Sequence, residues 1–323
     1  SLAVAGGSLL WRANQGNEAA RQDIEAVAQA ALLARQDGDR ELLRVLLDPS
    51  DAAWVDQQLD KARTLPGSEI TAALSVERVE LNGDRGLAAV IETQADGGQL
   101  RKLAYFRRRD GQWLLAPAEP ALLGDQAQQE SAHFTVTYRP PDEPFVGDLI
   151  NAAEGAYVTL CGELRCRDDS RPLTLQLQYD PDSAAAGTDG GLDVPSPWLS
   201  GVDQDGRPTP ALYQELVRQL AMQLAPATAP EAAPALWQAV GAWAVSDLAG
   251  AALPGVALFQ ERLRAGELPL PLDMVWSEIA IEDNVANDLA MAQMSQMLAF
   301  VQATYGADAA GKLIEGAPRH LHT

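Results

Sequence analysis

The first part of the chain carries apolar residues at the spacing of α-helices. Asn17 is a typical N-cap residue, and the pattern after it predicts a helix that ends before Gly38. Two shorter helices are predicted next, the second of which begins after the turn sequence at 48–51. The apolar faces of the three helices consist of Ile24, Val27, Ala28, Ala31 and Leu32, then Leu42, Leu43, Leu46 and Leu47, and then Val55, Leu59 and Ala62.

At residue 70 the pattern changes from helical to alternating, as expected for β-strands. Residues 70–76 alternate in one phase, whereas Val79 and Leu81 continue in the opposite phase. This slip predicts a β-bulge near Glu77 and Arg78. Three further alternating segments, separated by turn sequences, predict an antiparallel meander. The turns lie at 82–84, 96–98 and 110–111, and the segments at 87–93, 100–107 and 112–116.

The second half of the chain begins again with a strand. Residues 133–138 alternate, a long amphipathic helix follows, and a second strand is predicted at 173–179. A loop rich in Asp, Gly, Ala and Pro covers 180–197. Thr209 and Pro210 then open a helix, and another helix follows Pro234. The first of these two helices has a core stripe of Leu212, Leu216, Leu220 and Leu224. The whole pattern predicts the α+β class.

Length and composition fit two folded domains. The 323 residues exceed one ordinary core, and an apolar fraction of 47% suffices to build two. A polar run after two prolines places a linker at 121–132, between a domain at 17–120 and a domain at 133–323. The net charge of −21 would repel nucleic acid and anionic lipid surfaces, and it otherwise serves solubility.

Residues 1–16 do not fit the pattern of either domain. Small and apolar residues run into Trp11 and Arg12, a sequence typical of the outer end of a membrane span. Two interpretations stay open, the remnant of a membrane anchor and a cloning remnant or short strand. The first would attach the protein to a membrane only through a missing N-terminal anchor, of which this segment is the outer end. It would also place the remainder of the chain extracytoplasmically or at the cell surface.

Few residues are candidates for disulfide or metal chemistry. Cys161 and Cys166 would pair outside the cell or stay inert thiols inside it, and pairing requires their helix to end near Gly162. The turn at 203–206 begins like a calcium loop, but Arg207 stands where an oxygen ligand belongs, so a hairpin turn is favoured. The sequence therefore predicts no metal and no cofactor. Its histidines are His133, His320 and His322.

The three helices and the meander in 17–120 resemble the NTF2-like (SnoaL-like, cystatin-type) α+β fold. This resemblance rests on the order of the elements and not on a diagnostic motif. It implies a curved sheet whose cone holds a small ligand or a partner in many members. The enzymatic members use a His–Asp pair that this segment lacks, so the resemblance implies no activity here. Whether the domain has a functional pocket stays open.

Separated landmarks in 133–316 resemble the gluzincin zinc peptidases of the peptidase MA-like group. In that family, a helix with the motif H-E-x-x-H precedes a helix with the motif W-L-x-E-G. Trp237 and Gly241 keep the spacing of the second motif. The resemblance implies an α+β domain with a helical C-terminal part and a site between the two motif helices. The closing segments that match the family in order are Pro271-Leu272-Asp273-Met274-Val275, Met291-Ala292-Gln293-Met294-Ser295 and Tyr305-Gly306.

The positions that hold zinc in that family carry other residues here. Gln214 and Arg218 stand in place of the two histidines, and Val240 stands in place of the glutamate ligand. Met291 stands where the family often has a tyrosine that supports the oxyanion. Glu215, the general-base position, is kept, but without metal-bound water it has no adequate nucleophile to activate. The sequence therefore predicts a degenerate site and no enzymatic activity.

Arg218 offers a physical replacement for the missing ion. We expect its guanidinium to occupy the former metal position and to neutralise Glu215, because an unpaired buried carboxylate is costly. The alternative is that Gln214, Glu215 and Arg218 all simply face solvent on an amphipathic helix.

The leading interpretation is a non-catalytic pseudopeptidase. Its former cleft, beside an edge strand near 198–202, is expected to accept a peptide or protein by strand addition. Two alternatives stay open. One is enzymatic, either residual hydrolase activity through Glu215 or an activity located in the first domain. The other is a structural role in an envelope assembly.

Overall fold

The computed structural model describes residues 2–64, 71–166, 172–179, 191–228, 234–253, 255–269 and 284–315. Within these residues the protein has the predicted α+β fold, with one antiparallel and one mixed sheet. The chain forms two compact units, which we call unit 1 and unit 2. Unit 1 comprises Ser1–Asp125 and Ser196–Thr209, and unit 2 comprises Gln126–Pro195 and Pro210–Thr323.

Three helices open unit 1, namely α1 (Leu2–Asp37), α2 (Arg40–Leu46) and α3 (Ala52–Thr64). The prediction that Asn17 caps the first helix is wrong, because α1 runs through this residue without a break. The alanines and leucines before Asn17 are good helix formers, so the strand considered for 1–16 is wrong as well. No helix among the described residues has both the length and the hydropathy that crossing a membrane requires.

The sheet of unit 1 is the predicted antiparallel meander, with strands in the order β1-β2-β3-β4. The predicted bulge is also confirmed, because the pairing of β1 with β2 shifts register between Val76 and Arg78 and leaves Glu77 as the extra residue. Core side chains from the helices and from one face of the sheet pack together, among them Ile24, Leu43, Leu59, Val90, Phe106 and Trp113. The strands are β1 (Thr71–Asn82), β2 (Arg85–Gln94), β3 (Gln99–Arg109) and β4 (Gln112–Ala116).

Residues 196–209 belong to unit 1, although the chain before and after them belongs to unit 2. They contain the short helix α5 (Pro197–Ser200). Val202 then exchanges two backbone hydrogen bonds with Arg101 of β3, at 2.7 and 2.9 Å. This part of β3 can accept a new neighbour because β4 pairs only with 105–109 of β3. The edge strand predicted at 198–202 is therefore wrong, since the segment folds as a helical turn followed by a bridge to unit 1.

The turn at 203–206 has the predicted hairpin geometry. Val202 and Pro208 pair across it, and Gly206 has a positive φ of 79°. The carboxylate of Asp203 accepts the backbone N–H groups of Asp205 and Arg207, at 2.9 and 2.8 Å. This aspartate therefore stabilises the turn itself, as Asx side chains commonly do.

The sheet of unit 2 is mixed, with strands in the order β5-β6-β7-β8. β5 (Ala127–Glu130) is antiparallel to β6 (Phe134–Tyr138), whereas β6, β7 (Leu173–Gln178) and β8 (Gly191–Pro195) run parallel. Two strands lie where the sequence predicted none. β5 falls in the predicted linker, because it is a polar and largely exposed edge strand. β8 falls in the predicted loop, because it is short and carries an aspartate at its centre.

The described residues of unit 2 also form six α-helices. Leu216 and Leu220 of α6 are fully buried, and Leu212 and Leu224 are nearly so, which confirms the predicted core stripe. The core also contains Phe134, Leu160, Leu175 and Trp243. The helices are α4 (Glu143–Leu164), α6 (Pro210–Thr228), α7 (Pro234–Leu248), α8 (Val256–Arg264), α9 (Asn284–Tyr305) and α10 (Ala309–Glu315).

A disulfide joins Cys161 and Cys166 at the end of α4. The sequence left this pairing open and required the helix to end near Gly162. α4 ends slightly later, at Leu164, and Arg165 then adopts a left-handed conformation with a φ of 59°. This reversal brings the two Cα atoms to 4.7 Å, a separation within the normal range for disulfides.

Candidate functional site

The two helices that carry the peptidase-like motifs, α6 and α7, lie against each other. Their closest approach is at Gly241, where an added Cβ atom would lie 2.9 Å from Cγ of Met222 and 3.1 Å from the carbonyl oxygen of Arg218. Any side chain at this position would collide with α6, so glycine permits the approach. The predicted site residues Gln214, Glu215 and Arg218 are partly exposed on α6, beside its buried leucine stripe.

Glu215 is held by donors from its own helix. Arg218 makes a two-pronged contact, in which Nε donates to Oε2 at 2.8 Å and Nη2 donates to Oε1. The amide of Gln219 donates to the same Oε1, at 2.7 Å. The predicted ion pair between Glu215 and Arg218 is therefore confirmed, and it lies at a partly exposed position of α6. That the guanidinium occupies the former metal position stays a prediction.

The charge of Glu215 also affects the pKa of its partner Arg218. Its hydrogen bond and its negative charge raise the pKa of Arg218 above the ordinary value, against the opposing effect of burial. Nη1 of the same guanidinium contacts the sulfur of Met222 at 3.1 Å. Both carboxylate oxygens of Glu215 therefore already accept hydrogen bonds from side chains of its own helix.

A polar network continues from this ion pair to the sheet of unit 2. The amide nitrogen of Gln219 donates to the backbone carbonyl of Asp193 in β8 as well as to Glu215. Gln178 of β7 donates to the Asp193 carboxylate at 2.8 Å, and Asp193 is only 2% exposed. The sequence interpretation missed these three residues. Of the three, only Gln219 could have been expected from the sequence, because it lies one helical turn after Glu215.

The other predicted site positions are apolar or peripheral. Val240 is fully buried in the core of unit 2, and Met291 of α9 packs against that core. Gln214 is half-buried on α6. The position that corresponds to the acidic zinc ligand of the peptidases is therefore part of the apolar packing around α7.

His133 contacts Glu154 and Tyr157 and is not part of the network around Glu215. Its ring nitrogen Nδ1 and its backbone N–H both contact the carboxylate of Glu154, at 2.6 and 2.8 Å, and Ser131 donates to the same carboxylate at 2.7 Å. Its ring stacks on Tyr157 with 4.2 Å between centroids. Burial acts to raise the pKa of Glu154, but the hydrogen bonds from His133 and Ser131 outweigh it, so the pKa is lowered.

In the part of the chain that the structure describes, no three His, Cys, Asp or Glu side chains are grouped so that they could hold a metal ion. His320, His322 and the matching segment at 271–275 lie outside the described residues. Tyr305, which belongs to the last landmark, is largely exposed at the end of α9. The arrangement around Glu215 can accept and donate hydrogen bonds, but it brings no imidazole to the carboxylate.

No family model, no curated protein and no solved structure matches this chain. The resemblances to gluzincin peptidases and to NTF2-like domains therefore rest on the residues quoted above.

Proposed function

We propose that unit 2 is a non-catalytic module of the pseudopeptidase type, in an extracytoplasmic protein, and that it binds an extended peptide or protein segment. The observation that carries this proposal is the state of Glu215, whose two oxygens accept hydrogen bonds from Arg218 and Gln219. A peptidase of this type needs that position free to act as a general base on metal-bound water.

The charge balance supports the proposal. In a zinc site of this kind, a dication offsets the carboxylates around it, and here the Arg218 guanidinium offsets Glu215 instead. Arginine suits this role because its planar fork matches the two oxygens of a carboxylate. A guanidinium is not a ligand for zinc and does not lower the pKa of a water molecule to near neutrality.

The disulfide supports an extracytoplasmic location. Cys161 and Cys166 close a short loop at the end of α4. Disulfides of this kind persist in oxidising compartments and are rare in the reducing cytosol.

The sheet of unit 2 offers a place for an extended segment. β8 is the last strand in the order of this sheet, and among the described residues it pairs with β7 alone. An extended peptide can add to such an edge through main-chain hydrogen bonds. The Glu215–Arg218 pair lies next to this strand through Gln219 and would offer polar contacts to the peptide.

Metal content tests the non-catalytic part of the proposal directly. Plasma mass spectrometry on the purified full chain is expected to find far less than one zinc ion per chain, and peptide substrates are expected to remain uncleaved. One zinc ion per chain that disappears in Glu215→Gln would overturn the proposal in favour of residual hydrolase activity.

A second experiment tests the peptidase-like geometry by restoring the missing ligands. The triple variant Gln214→His, Arg218→His, Val240→Glu is expected to bind zinc about tenfold or more tightly than the double variant without Val240→Glu, because the third ligand completes the set. Equal zinc affinity of the two variants would show that 214, 218 and 240 do not converge on one point. Circular dichroism with and without zinc checks that both variants fold.

A further inference from the structure

The last turn of α4 contains a buried carboxylate that lacks a full set of partners. Glu163 is only 8% exposed, and its Oε1 atom accepts the side-chain amide of Gln302 from α9 at 2.7 Å. Its Oε2 atom is also buried and has no hydrogen-bond partner among the described residues. Because a buried carboxylate oxygen without a donor is costly when it carries charge, this position favours the protonated form of Glu163.

The cations at this end of α4 are already paired with other carboxylates. Arg165, two residues after Glu163, contacts Glu315 of α10 at 3.0 Å. Lys312 of α10 contacts Asp308 at 2.7 Å. Both pairs join α10 to itself or to α4, and neither guanidinium nor ammonium is left over as a counter-charge for Glu163.

The other helices of this region add no counter-charge either. α7 contributes Asp247, an exposed carboxylate, and α9 has Asp288 near its start. The charged residues of α6, Glu215 and Arg218, pair with each other. The last turns of α4 and α9 meet here, and the C-terminal end of a helix carries a partial negative charge. Burial and then the charge of Asp247 raise the pKa of Glu163 to about 7, and the hydrogen bond from Gln302 opposes them.

α10 packs directly on this end of α4. A Cβ atom added at Gly311 would lie 2.6 Å from the carbonyl oxygen of Glu163 and 2.9 Å from that of Leu164. Ala310 and Ile314 of α10 are buried in the core of unit 2. α10 therefore covers the last turn of α4, although it has only seven residues.

Among the elements at this junction, α10 can leave at the lowest cost. A disulfide between Cys161 and Cys166 brackets Glu163, so it opposes an unwinding of α4 that would carry the carboxylate into water. α9 has 22 residues and buries Met294 and Leu298 in the core. Local opening in folded proteins favours short elements with few buried side chains, which describes α10.

We propose that α10 is a pH-dependent latch on the end of α4, which stays docked while Glu163 is protonated and detaches when this carboxylate ionises. Detachment lets water reach Glu163 and exposes Ile314 and Leu164, which are both buried in the docked state. The change is reversible because no covalent bond is broken. The latch does not depend on the function proposed for unit 2.

Hydrogen exchange read by mass spectrometry on the purified full chain tests the latch. A carboxyl group whose pKa is raised in the docked state favours docking at low pH, so opening of α10 is expected to increase about 50-fold between pH 5 and pH 8. Each rate over 307–315 is divided by the intrinsic exchange rate at that pH. Opening that does not change with pH would overturn the proposal.

α6 serves as the internal reference, because its leucine stripe is buried in the same core. We expect α6 to exchange at least about tenfold more slowly than α10 at every pH, since α10 opens locally. Equal protection of α10 and α6, with the same dependence on pH, would mean that unit 2 unfolds as a whole and that α10 is not a latch.

Glu163→Gln tests the titrating group, and Glu315→Gln is its control. Glu163→Gln is expected to keep α10 protected and to abolish the dependence on pH, because the side chain no longer ionises. Glu315→Gln makes the same change on α10 itself and removes the contact with Arg165, in which the side chains are 45% and 44% exposed. It is expected to change protection by about threefold at most and to keep the slope. The opposite pattern would assign the effect to the Arg165 pair and refute the proposal.

Gln302→Met distinguishes titration of Glu163 from loss of packing. This variant removes the donor that stabilises the ionised carboxylate, so the pKa of Glu163 rises further. The pH at which opening of α10 levels off is therefore expected to rise by about 0.5–1 unit, the equivalent of one hydrogen bond. A variant that lowers protection equally at every pH, with the same levelling-off, would show that Gln302 has only a packing role and that Glu163 does not control α10.

Discussion

Asp48 in unit 1 and Glu163 in unit 2 are both buried carboxylates, but their surroundings differ. Asp48 has no exposed surface, and its carboxylate accepts the hydroxyl of Ser50 at 2.7 Å and Nε of Arg109 at 2.5 Å. Glu163 is 8% exposed and accepts the amide of Gln302 at one oxygen, at 2.7 Å. Its other oxygen has no hydrogen-bond partner among the described residues.

The two carboxyl groups therefore titrate in opposite directions. Burial acts to raise the pKa of Asp48, but the hydrogen bonds from Ser50 and Arg109 outweigh it and hold the pKa below its ordinary value. For Glu163, burial and the nearby charge of Asp247 raise the pKa to about 7, and the hydrogen bond from Gln302 opposes them only in part. The contrast shows that burial alone does not fix the protonation state, because the partners of the carboxylate decide it.

The largest expected loss of stability concerns Asp48, the buried carboxylate whose charge is compensated by hydrogen bonds. Asp48→Ala removes a buried carboxylate and leaves its donors without an acceptor, so we expect unit 1 to lose about 3 kcal/mol of unfolding free energy. Hydrogen exchange read by mass spectrometry over α2 and α3 measures this loss locally. Asp60→Ala removes an exposed partner of Arg40 and is expected to cost less than about 0.5 kcal/mol. Equal costs for the two variants would contradict the role given to Asp48.

The next effect concerns pH. A carboxyl group whose pKa is raised in the folded state contributes stability at low pH and loses it as the pH rises through the folded pKa. For Glu163 this window runs from the ordinary glutamate pKa of 4.5 to about 7, and the loss is about 3 kcal/mol, at about 1.4 kcal/mol per pKa unit. Exchange over α4 should therefore become faster relative to its intrinsic rate as the pH rises through this window.

Glu163→Gln is expected to remove that dependence on pH and to make unit 2 more stable than the parent protein above pH 7. Glu130→Gln, on the exposed strand β5, is the matched control and should keep the slope of the parent protein. Asp48 works in the opposite direction. Its contribution to stability is present above the ordinary aspartate pKa of 3.8 and is lost as the pH falls through its lower folded pKa. A parent protein whose unit 2 gains stability between pH 5 and pH 7 would be incompatible with this account.

α10 packs closely against the end of α4, next to the backbone of Glu163. A Cβ atom added at Gly311 of α10 would lie 2.6 Å from the carbonyl oxygen of Glu163 and 2.9 Å from that of Leu164. Gly311→Ala should therefore cost about 2 kcal/mol, as overpacking does, although alanine favours helices. Gly147→Ala in α4 is the control, because its added Cβ atom would meet no atom within 4 Å. It should stabilise unit 2 by about 0.5–1 kcal/mol in urea unfolding. A stabilising Gly311→Ala would show that α10 is free to move.

Elements with strong periodicity were predictable from the sequence. The phase slip between Val76 and Val79 located the bulge, and the leucine stripe of α6 located its buried face. β5 and β8 were missed because a polar edge strand and a five-residue strand with a central aspartate resemble loops. The pairing of Val202 with Arg101 was missed because it joins segments far apart in the chain, and no local pattern records it.

The site was predictable where its partners share one helix. Glu215 and Arg218 are three residues apart, so helical geometry alone brings them together. The link from Gln219 to Asp193 depends on the position of β8, which the sequence did not reveal.

The smallest expected effect is the coupling energy of Glu215 with Arg218. Glu215 pairs with a cation as Asp48 does, but it lies nearer to solvent, so it extends the comparison to a partly exposed pair. The side chains of Arg218 and Glu215 are 39% and 27% exposed, so solvent screens their attraction. A double-mutant cycle with Glu215→Gln and Arg218→Met in urea unfolding should give a coupling energy of about 0.5–1 kcal/mol. A coupling of about 3 kcal/mol would mean that the pair is desolvated like Asp48. In that case unit 2 would depend on the pair for folding, and a ligand could not engage Glu215 without destabilising α6.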